Sequence, residues 1–197
     1  MKHELPADFA FAAEMVAIGA SAGGVDALLT LFDGLQPPLR APVLVVLHLP
    51  ESQESRLVEV FATRLRVPLE EARPHGPVQP GHIYFAPPGY HLLLESDRSF
   101  SLSCDPPVLF SRPSIDVLFE SCAEAVGEGL AALLLTGANE DGARGMARIQ
   151  DAGGLTAVQD PAEAAHSTMP AAALRLAQPD FVLPLAMLRA LLHTVVR

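Results

Sequence analysis

A serine, a histidine and an aspartate each follow a stretch that is typical of a buried strand. Ser21 stands in the middle of GASAGG (residues 19–24), and His48 follows an apolar, β-branched run. Asp141 lies in a turn bounded by glycines. A serine hydroxyl is a weak nucleophile until a base takes its proton, and a histidine base needs an anion that holds its tautomer. These residue types therefore indicate hydrolysis by an activated serine.

The residues around Ser21 fit Gly-x-Ser-x-Gly, the sharp strand-to-helix turn of many serine hydrolases. In such a turn the nucleophile has a strained backbone conformation, and neighbouring glycines avoid clashes. The N-terminus of the next helix offers N–H groups to a developing oxyanion. A phosphate-binding turn of a dinucleotide fold is one alternative, and a tight turn without chemistry is another. His48 occupies the place where a dinucleotide fold has its acidic ribose ligand, which argues against the first alternative.

His48 is the one histidine of seven that directly follows a predicted parallel strand. Without Ser21 nearby, a histidine bonded to the backbone at a strand end would be the favoured interpretation. Asp141 has its own alternative, because an aspartate at a helix start is usually a cap worth about 1 kcal/mol. The coincidence favours catalysis, since the C-terminal ends of parallel strands meet at one edge of a sheet. Asp116 and Asp160 are weaker candidates for the anion.

The apolar patterning predicts the elements that would position these residues. Buried strands are predicted at residues 15–19, 43–47, 130–136, 155–159 and 181–183. The first helix is expected to pack through four residues at helical spacing, namely Val25, Leu28, Leu29 and Phe32. Ser114 is expected to cap a later helix.

Between residues 78 and 103 the long apolar runs give way to short runs separated by turn residues. Three short runs, at residues 82–86, 91–95 and 99–103, are separated by turn residues and predict antiparallel hairpins. The predicted fold is therefore α/β, with a doubly wound, mostly parallel sheet in Rossmann-like layers and an antiparallel hairpin extension.

Composition excludes several classes of function. The 197 residues are 50% hydrophobic and carry a net charge of −10, which argues against a nucleic-acid surface. No apolar run is long enough for membrane insertion. Two cysteines without metal-like spacing predict a reducing, cytoplasmic setting, with neither a metal nor a disulfide framework. Residues 1–12 are predicted to be a flexible tail, and residues 13–197 a single catalytic domain.

Six stretches, taken together and in order, resemble the catalytic domain of bacterial chemotaxis protein-glutamate methylesterases. The resemblance runs from about Val16 to the C-terminus. The stretches are GASAGG at 19–24, HLP at 48–50, GHIYFAPPGYH at 81–91, RPSIDVLF at 112–119, LTGANEDGA at 135–143 and MP at 169–170.

The resemblance implies that Ser21 is the nucleophile, His48 the base and Asp141 the residue that orients it. Backbone N–H groups at Ala22, Gly137 and Ala138 are then expected to hold the oxyanion. The implied substrates are glutamyl methyl esters on the cytoplasmic helices of chemoreceptors, and the family also deamidates glutamine. The resemblance implies no cofactor and no metal.

The sequence departs from the family pattern in three ways. Only twenty residues precede Ser21, so a phosphorylatable receiver domain is not expected in this chain. Ala22 and Ala138 stand where many members have threonine and methionine. Glu140 adds a negative charge beside Asp141. These departures leave two alternatives open, a serine esterase of another signalling pathway and an idle module that binds helices.

Overall fold

A parallel seven-stranded sheet forms the centre of the molecule. The computed structural model describes residues 1–49 and 56–197, so Pro50 of the HLP stretch lies outside the described residues. The strands of this sheet are β1 (Met15–Ala20), β2 (Val43–Leu47), β3 (Leu69–Glu71), β4 (Ile83–Phe85), β7 (Leu130–Leu134), β8 (Leu155–Gln159) and β9 (Phe181–Leu183).

The central strands are buried on both faces, and successive residues serve two different cores. In β1, Val16 and Ile18 belong to the hydrophobic cluster on one face, whereas Met15 and Ala17 belong to the cluster on the other. Side chains alternate across a strand, so a continuous apolar run is what a sheet covered by helices on both sides requires.

Helices cover both faces, and the predicted doubly wound α/β fold is confirmed. One face carries α1 (Gly24–Phe32), α2 (Leu57–Ala62) and α6 (Leu185–Val195). The other carries α3 (Ile115–Val126), α4 (Ala143–Asp151) and α5 (Thr168–Leu176). Ser114 caps α3 as predicted, because its hydroxyl accepts a hydrogen bond from the backbone N–H of Val117.

The order of the strands explains why the site lies where it does. The sheet runs β3-β4-β2-β1-β7-β8-β9, so the chain places β2, β3 and β4 on one side of β1 and then β7, β8 and β9 on the other. Ligands of such sheets bind beyond the carboxyl ends of the strands, at the point where the order reverses. Here that point lies between β1 and β7, and β2 is the next strand along.

The antiparallel extension is smaller than predicted. Strands β5 (His91–Leu94) and β6 (Phe100–Ser103) form a separate antiparallel pair. The prediction is wrong for residues 82–86, because β4 pairs in parallel with β2 and β3 inside the main sheet. The three residues of β4 are all buried, and an apolar run of that length does not indicate whether the strand pairs in parallel or antiparallel.

The first helix turns a different face inward than its spacing suggested. Val25 is exposed, whereas Ala27 and Leu31 are buried together with the correctly predicted Leu28 and Phe32. Gly24 begins the helix without a side chain, and a β-carbon there would lie 2.5 Å from a methyl carbon of Leu47. The helix therefore approaches β2 closely at its first turn, directly after Ser21.

The N-terminal residues lie beside the outer strand β9. The backbone N–H of Lys2 donates to the carbonyl of Asp180, and the ring of Phe9 meets that of Phe181 edge to face, with 5.4 Å between centroids. The division of the chain at residue 13 stays a prediction. In the described ranges, no helix is both long enough and apolar enough to cross a bilayer.

Candidate active site

The structure brings Ser21, His48 and Asp141 together at the carboxyl ends of β1, β2 and β7. The Ser21 Oγ lies 3.1 Å from His48 Nδ1, and His48 Nε2 lies 2.8 Å from Asp141 Oδ2. The neighbouring positions of the three strands make this possible for residues far apart in sequence. Asp160, by contrast, lies beyond β8 and accepts a hydrogen bond from the N–H of Ala162 in its own turn.

The surroundings of Asp141 determine which nitrogen of His48 carries the proton. Its two carboxylate oxygens face five donors, so the carboxylate is an acceptor only. These donors are His48 Nε2, the Ser114 hydroxyl and the backbone N–H groups of Ile115, Asp116 and Gly142. His48 therefore donates from Nε2 and leaves the Nδ1 lone pair facing Ser21. The ring is turned around relative to the usual serine-protease arrangement, in which Nε2 faces the serine.

Asp141 is fully buried, yet its surroundings keep it ionised. Burial by itself raises the pKa of this carboxyl. The hydrogen bond from His48 and those from the N–H groups of Asp116 and Ile115 outweigh burial, so the pKa lies below its usual value. A permanent negative charge at this position stabilises a positive imidazole on His48.

Asp141 is also a helix cap, but for a different helix from the one that it precedes. Its carboxylate accepts from the first two N–H groups of α3, at Ile115 and Asp116. Asp116 in turn accepts from the N–H of Gly145 in the first turn of α4, at 2.8 Å. A carboxylate of the turn before α4 thus lies near the N-terminus of α3, and a carboxylate of α3 lies near the N-terminus of α4. The alternatives of cap and orienting residue are therefore both compatible with the position of Asp141.

The turn at Ser21 differs from the strained elbow that was predicted. The positive φ angle belongs to Gly23, at 77°, and Ser21 has none. The N–H of Ser21 donates to the carbonyl of Thr136, and the Thr136 hydroxyl donates to the carbonyl of Ala22. The serine is therefore held by the end of β7 rather than by backbone strain.

Two of the three predicted oxyanion donors are free of other hydrogen bonds in the part of the chain that the structure describes. Within residues 1–49 and 56–197, the backbone N–H groups of Ala22 and Ala138 have no hydrogen-bond partner. The prediction is wrong for the N–H of Gly137, which donates to the carbonyl of His166. The carbonyl of Gly137 accepts from Met169, so this residue ties the loop after β7 to α5.

A cavity of about 390 Å³ opens beside the Ser21 hydroxyl. Sequence reasoning missed two polar residues in its wall, Ser111 and Asn139. The Ser111 Oγ lies 3.3 Å from His48 Nδ1, and Asn139 Nδ2 donates to that Oγ at 3.2 Å. Both residues lie in or beside stretches that carry the family resemblance, at 112–119 and 135–143, which is the signal that could have indicated them.

The loop that leads to Ser111 forms a strained turn at the mouth of this cavity. Val108 and Ser111 exchange backbone hydrogen bonds, and the two residues between them, Leu109 and Phe110, have positive φ angles of 47° and 65°. Asn and Gly are the usual residues of such turns, and bulky residues there cost roughly 1–3 kcal/mol each. The Phe110 side chain is nevertheless fully exposed, at 102%.

Of two further residues near the site, His91 supports it from outside and Glu140 is turned away from it. His91 is buried, and it receives the N–H of Ser114 at Nδ1 while its Nε2 donates to the carbonyl of Pro106. This contact holds the start of α3, whose Ser114 hydroxyl reaches Asp141. Glu140 points elsewhere and pairs with Arg175 at 2.7 Å, so its charge is directed away from the cavity.

Comparison with known families and structures gives a consistent result. A family model described as CheB methylesterase matches residues 16–192. The crystal structure of the Thermotoga maritima CheB methylesterase catalytic domain superposes with a TM-score of 0.88 at 27% sequence identity. That match covers 94% of this chain and 100% of the other.

Named relatives agree with the family match. A putative protein-glutamate methylesterase/protein-glutamine glutaminase of Leptospira interrogans is 40% identical over 172 residues, which are 87% of this chain and 89% of the relative. A protein-glutamate methylesterase/protein-glutamine glutaminase of Hahella chejuensis is 40% identical over 185 residues. The match covers 92% of this chain but 51% of the Hahella protein, so the chain spans about half of that relative.

Proposed function

The chain belongs to the CheB methylesterase family, and we propose that it hydrolyses glutamyl methyl esters on a chemoreceptor or a related signalling protein in the cytoplasm. Residues 13–197 are its catalytic domain in this proposal. The observation that carries it is the hydrogen-bonded series Ser21–His48–Asp141, which lies open to a cavity at the reversal point of the sheet.

The first half of the reaction acylates Ser21. Its Oγ attacks the ester carbonyl carbon, and His48 Nδ1 takes the hydroxyl proton. The ionised Asp141 stabilises the imidazolium that forms, through the bond to Nε2. The free N–H groups of Ala22 and Ala138 would then hold the oxyanion, a contribution worth roughly 3–4 kcal/mol for one donor in other enzymes.

Departure of methanol completes this acylation, and hydrolysis of the acyl-enzyme then releases the glutamate. The tetrahedral intermediate collapses, the bond to the methoxy oxygen breaks, and methanol leaves with a proton that originates on His48. Water then attacks the acyl carbon while His48 accepts its proton. The bond between that carbon and the Ser21 Oγ breaks, and His48 returns the proton to Oγ, which regenerates Ser21. Glutamine deamidation follows the same steps with ammonia as the leaving group.

The turn at residues 109–110 supports a protein substrate rather than a small ester. Phe110 lines the same cavity as Ser21, so its exposed ring is available to a protein chain that places an ester in this cavity. A fully exposed phenylalanine in a strained turn is costly for the isolated protein. Burial of this ring against an apolar side chain of the substrate would stabilise the complex by about 1.5–3 kcal/mol.

The test of the proposed function is release of labelled methanol from a methylated receptor fragment. We expect steady release by the purified protein and accumulation of unesterified glutamate, which mass spectrometry of the fragment would locate. Hydrolysis of small esters without any methanol from the receptor fragment would contradict the receptor substrate. No hydrolysis of either would favour a binding module without catalytic activity.

The variant Phe110→Ser tests the turn separately. Loss of the ring should raise KM for the receptor fragment by about tenfold or more, the value of a partly buried phenylalanine. The kcat should change by less than about threefold, because no reacting atom is touched. Phe9→Ser, which alters a phenylalanine beside β9, is the control. A KM equal to that of the wild type would remove Phe110 from substrate binding.

A further inference from the structure

One nitrogen of His48 faces two hydroxyl groups. Nδ1 lies 3.1 Å from the Ser21 Oγ and 3.3 Å from the Ser111 Oγ. The nitrogen has a single lone pair in the neutral ring, so it accepts one good hydrogen bond at a time. Attack by Ser21 takes that hydroxyl out of the competition, because its oxygen becomes bonded to carbon. Ser111 is then the partner that remains on Nδ1.

Asn139 sets the direction in which Ser111 can donate. The backbone N–H of Asp141 donates to Asn139 Oδ1 at 3.3 Å, so the amide group faces the other way. Its Nδ2 donates to the Ser111 Oγ at 3.2 Å. Ser111 therefore accepts from Asn139 through one lone pair and keeps a second lone pair and its own hydrogen for other partners.

We propose that Ser111 delivers the proton to the leaving group. This assignment rests on the proposed function and adds a second catalytic residue to it. The imidazolium of His48 gives its Nδ1 proton to the Ser111 Oγ while the Ser111 hydroxyl hydrogen passes to the methoxy oxygen. The carbon–oxygen bond of the intermediate breaks, its electron pair stays on that oxygen, and methanol leaves. His48 and Ser111 both end neutral, so the protons balance.

The arrangement solves a geometric problem of the reaction. Nδ1 receives its proton from the Ser21 oxygen, but it must return the proton to a different oxygen of the same intermediate. Ser111 lines the cavity next to His48, so it spans the two positions without rotation of the ring. Asn139 is a positioning residue in this scheme, since it contacts Ser111 and not the substrate.

The decisive experiment compares two leaving groups on one peptide. A receptor-derived peptide is made with its glutamyl side chain as the methyl ester or as the para-nitrophenyl ester. Methoxide needs protonation to leave, whereas the nitrophenolate leaves as the anion. Ser111→Ala should lower kcat/KM for the methyl ester by about 100-fold, the value of one general acid. The loss for the aryl ester should stay below about threefold.

Matched variants separate a proton relay from a structural role. Ser111→Thr retains the hydroxyl and should restore most of the methyl-ester activity. Asn139→Ala should show the same dependence on leaving group, with a smaller loss. Ser103→Ala alters a half-buried serine on β6 whose hydroxyl donates to Asp105, and it should affect neither ester.

Three outcomes would overturn the assignment. Equal losses for the two esters would mean that Ser111 only positions His48, and no loss for either would mean that it has no role. A wild-type protein that hydrolyses only the aryl peptide would contradict the proposed function itself. The aryl ester also reports folding, because a variant that is active on it has an intact Ser21 and His48.

Discussion

Replacing Ser21 with alanine is expected to lower kcat/KM for methyl-ester hydrolysis by at least about 10⁴-fold. The substitution removes the attacking oxygen, so water would have to attack the ester directly, without a covalent intermediate. The melting temperature should change by less than about 2 °C, since the hydroxyl points into the cavity and contributes no core packing. Methanol release and thermal unfolding are to be measured on the same preparation.

A covalent probe makes the assignment of Ser21 independent of turnover. A fluorophosphonate should label the wild-type protein on one peptide, the one that contains residue 21, and should leave Ser21→Ala unlabelled. Ser111→Ala serves as the matched control and should still be labelled, because it retains the nucleophile. A Ser21→Ala protein that keeps half of the activity would show that another group attacks the ester.

Asp141→Asn should lower both activity and stability. In the wild-type protein both carboxylate oxygens accept hydrogen bonds from N–H or O–H groups. Whichever way the asparagine amide is turned, its NH₂ group therefore faces other donors. The charge that stabilises imidazolium is lost in either orientation, and an NH₂ group that faces His48 also removes the acceptor for Nε2. We expect kcat/KM to fall by at least about tenfold, and by as much as about 10⁴-fold if the ring changes tautomer.

The stability effect follows from the second role of Asp141 as the cap of α3. Buried donors left without an acceptor cost about 1–3 kcal/mol, so the melting temperature should fall measurably. From the sequence alone, Asp141→Asn is expected to leave stability nearly unchanged, since asparagine caps a helix about as well as aspartate. That expectation treats Asp141 as the cap of its own helix, whereas its carboxylate serves α3 across the interface.

Asp116→Asn is the matched control, because Asp116 is also a buried carboxylate at the interface of α3 and α4. Burial raises the pKa of Asp116 above its usual value, and the hydrogen bond from Gly145 offsets this only in part. An asparagine there keeps one acceptor for Gly145 and removes a charge that is costly to bury. Activity and stability should stay near the wild-type values. Full activity in Asp141→Asn would remove the aspartate from the mechanism.

The two carboxylates also have opposite effects on acid stability. The depressed pKa of Asp141 contributes stability that is present above the unfolded-state value of about 3.9 and is lost as pH falls through the folded pKa. The raised pKa of Asp116 works the other way, because the folded state binds that proton more readily. Denaturant unfolding of the two variants between pH 3 and pH 7, in steps of about 0.5, would show this difference. Relative to the wild type, Asp141→Asn should lose less stability in acid.

The fold class, and which residues stand at the strand ends, could be predicted from the amino-acid sequence. Apolar runs such as Val43–Leu47 can be buried only in a sheet that is covered on both faces, and this is how β2 lies. Ser21, His48 and Asp141 could be found because the carboxyl ends of parallel strands converge wherever such a sheet forms. The pairing of β4 could not be predicted, because its apolar run is short and its parallel neighbour β2 is distant in sequence.

The way in which those residues act together depends on three-dimensional contacts that the sequence does not reveal. The orientation of His48, the loss of the Gly137 N–H to His166 and the capping of α3 by Asp141 all depend on contacts between loops that follow different strands. The same holds for Ser111, which reaches His48 across 63 positions of the chain. A hydrogen bond is directional and its range is about 3 Å, so it depends on the exact approach of two loops. The packing of the whole sheet sets the distance and angle between those loops, so they cannot be predicted from the local sequence pattern.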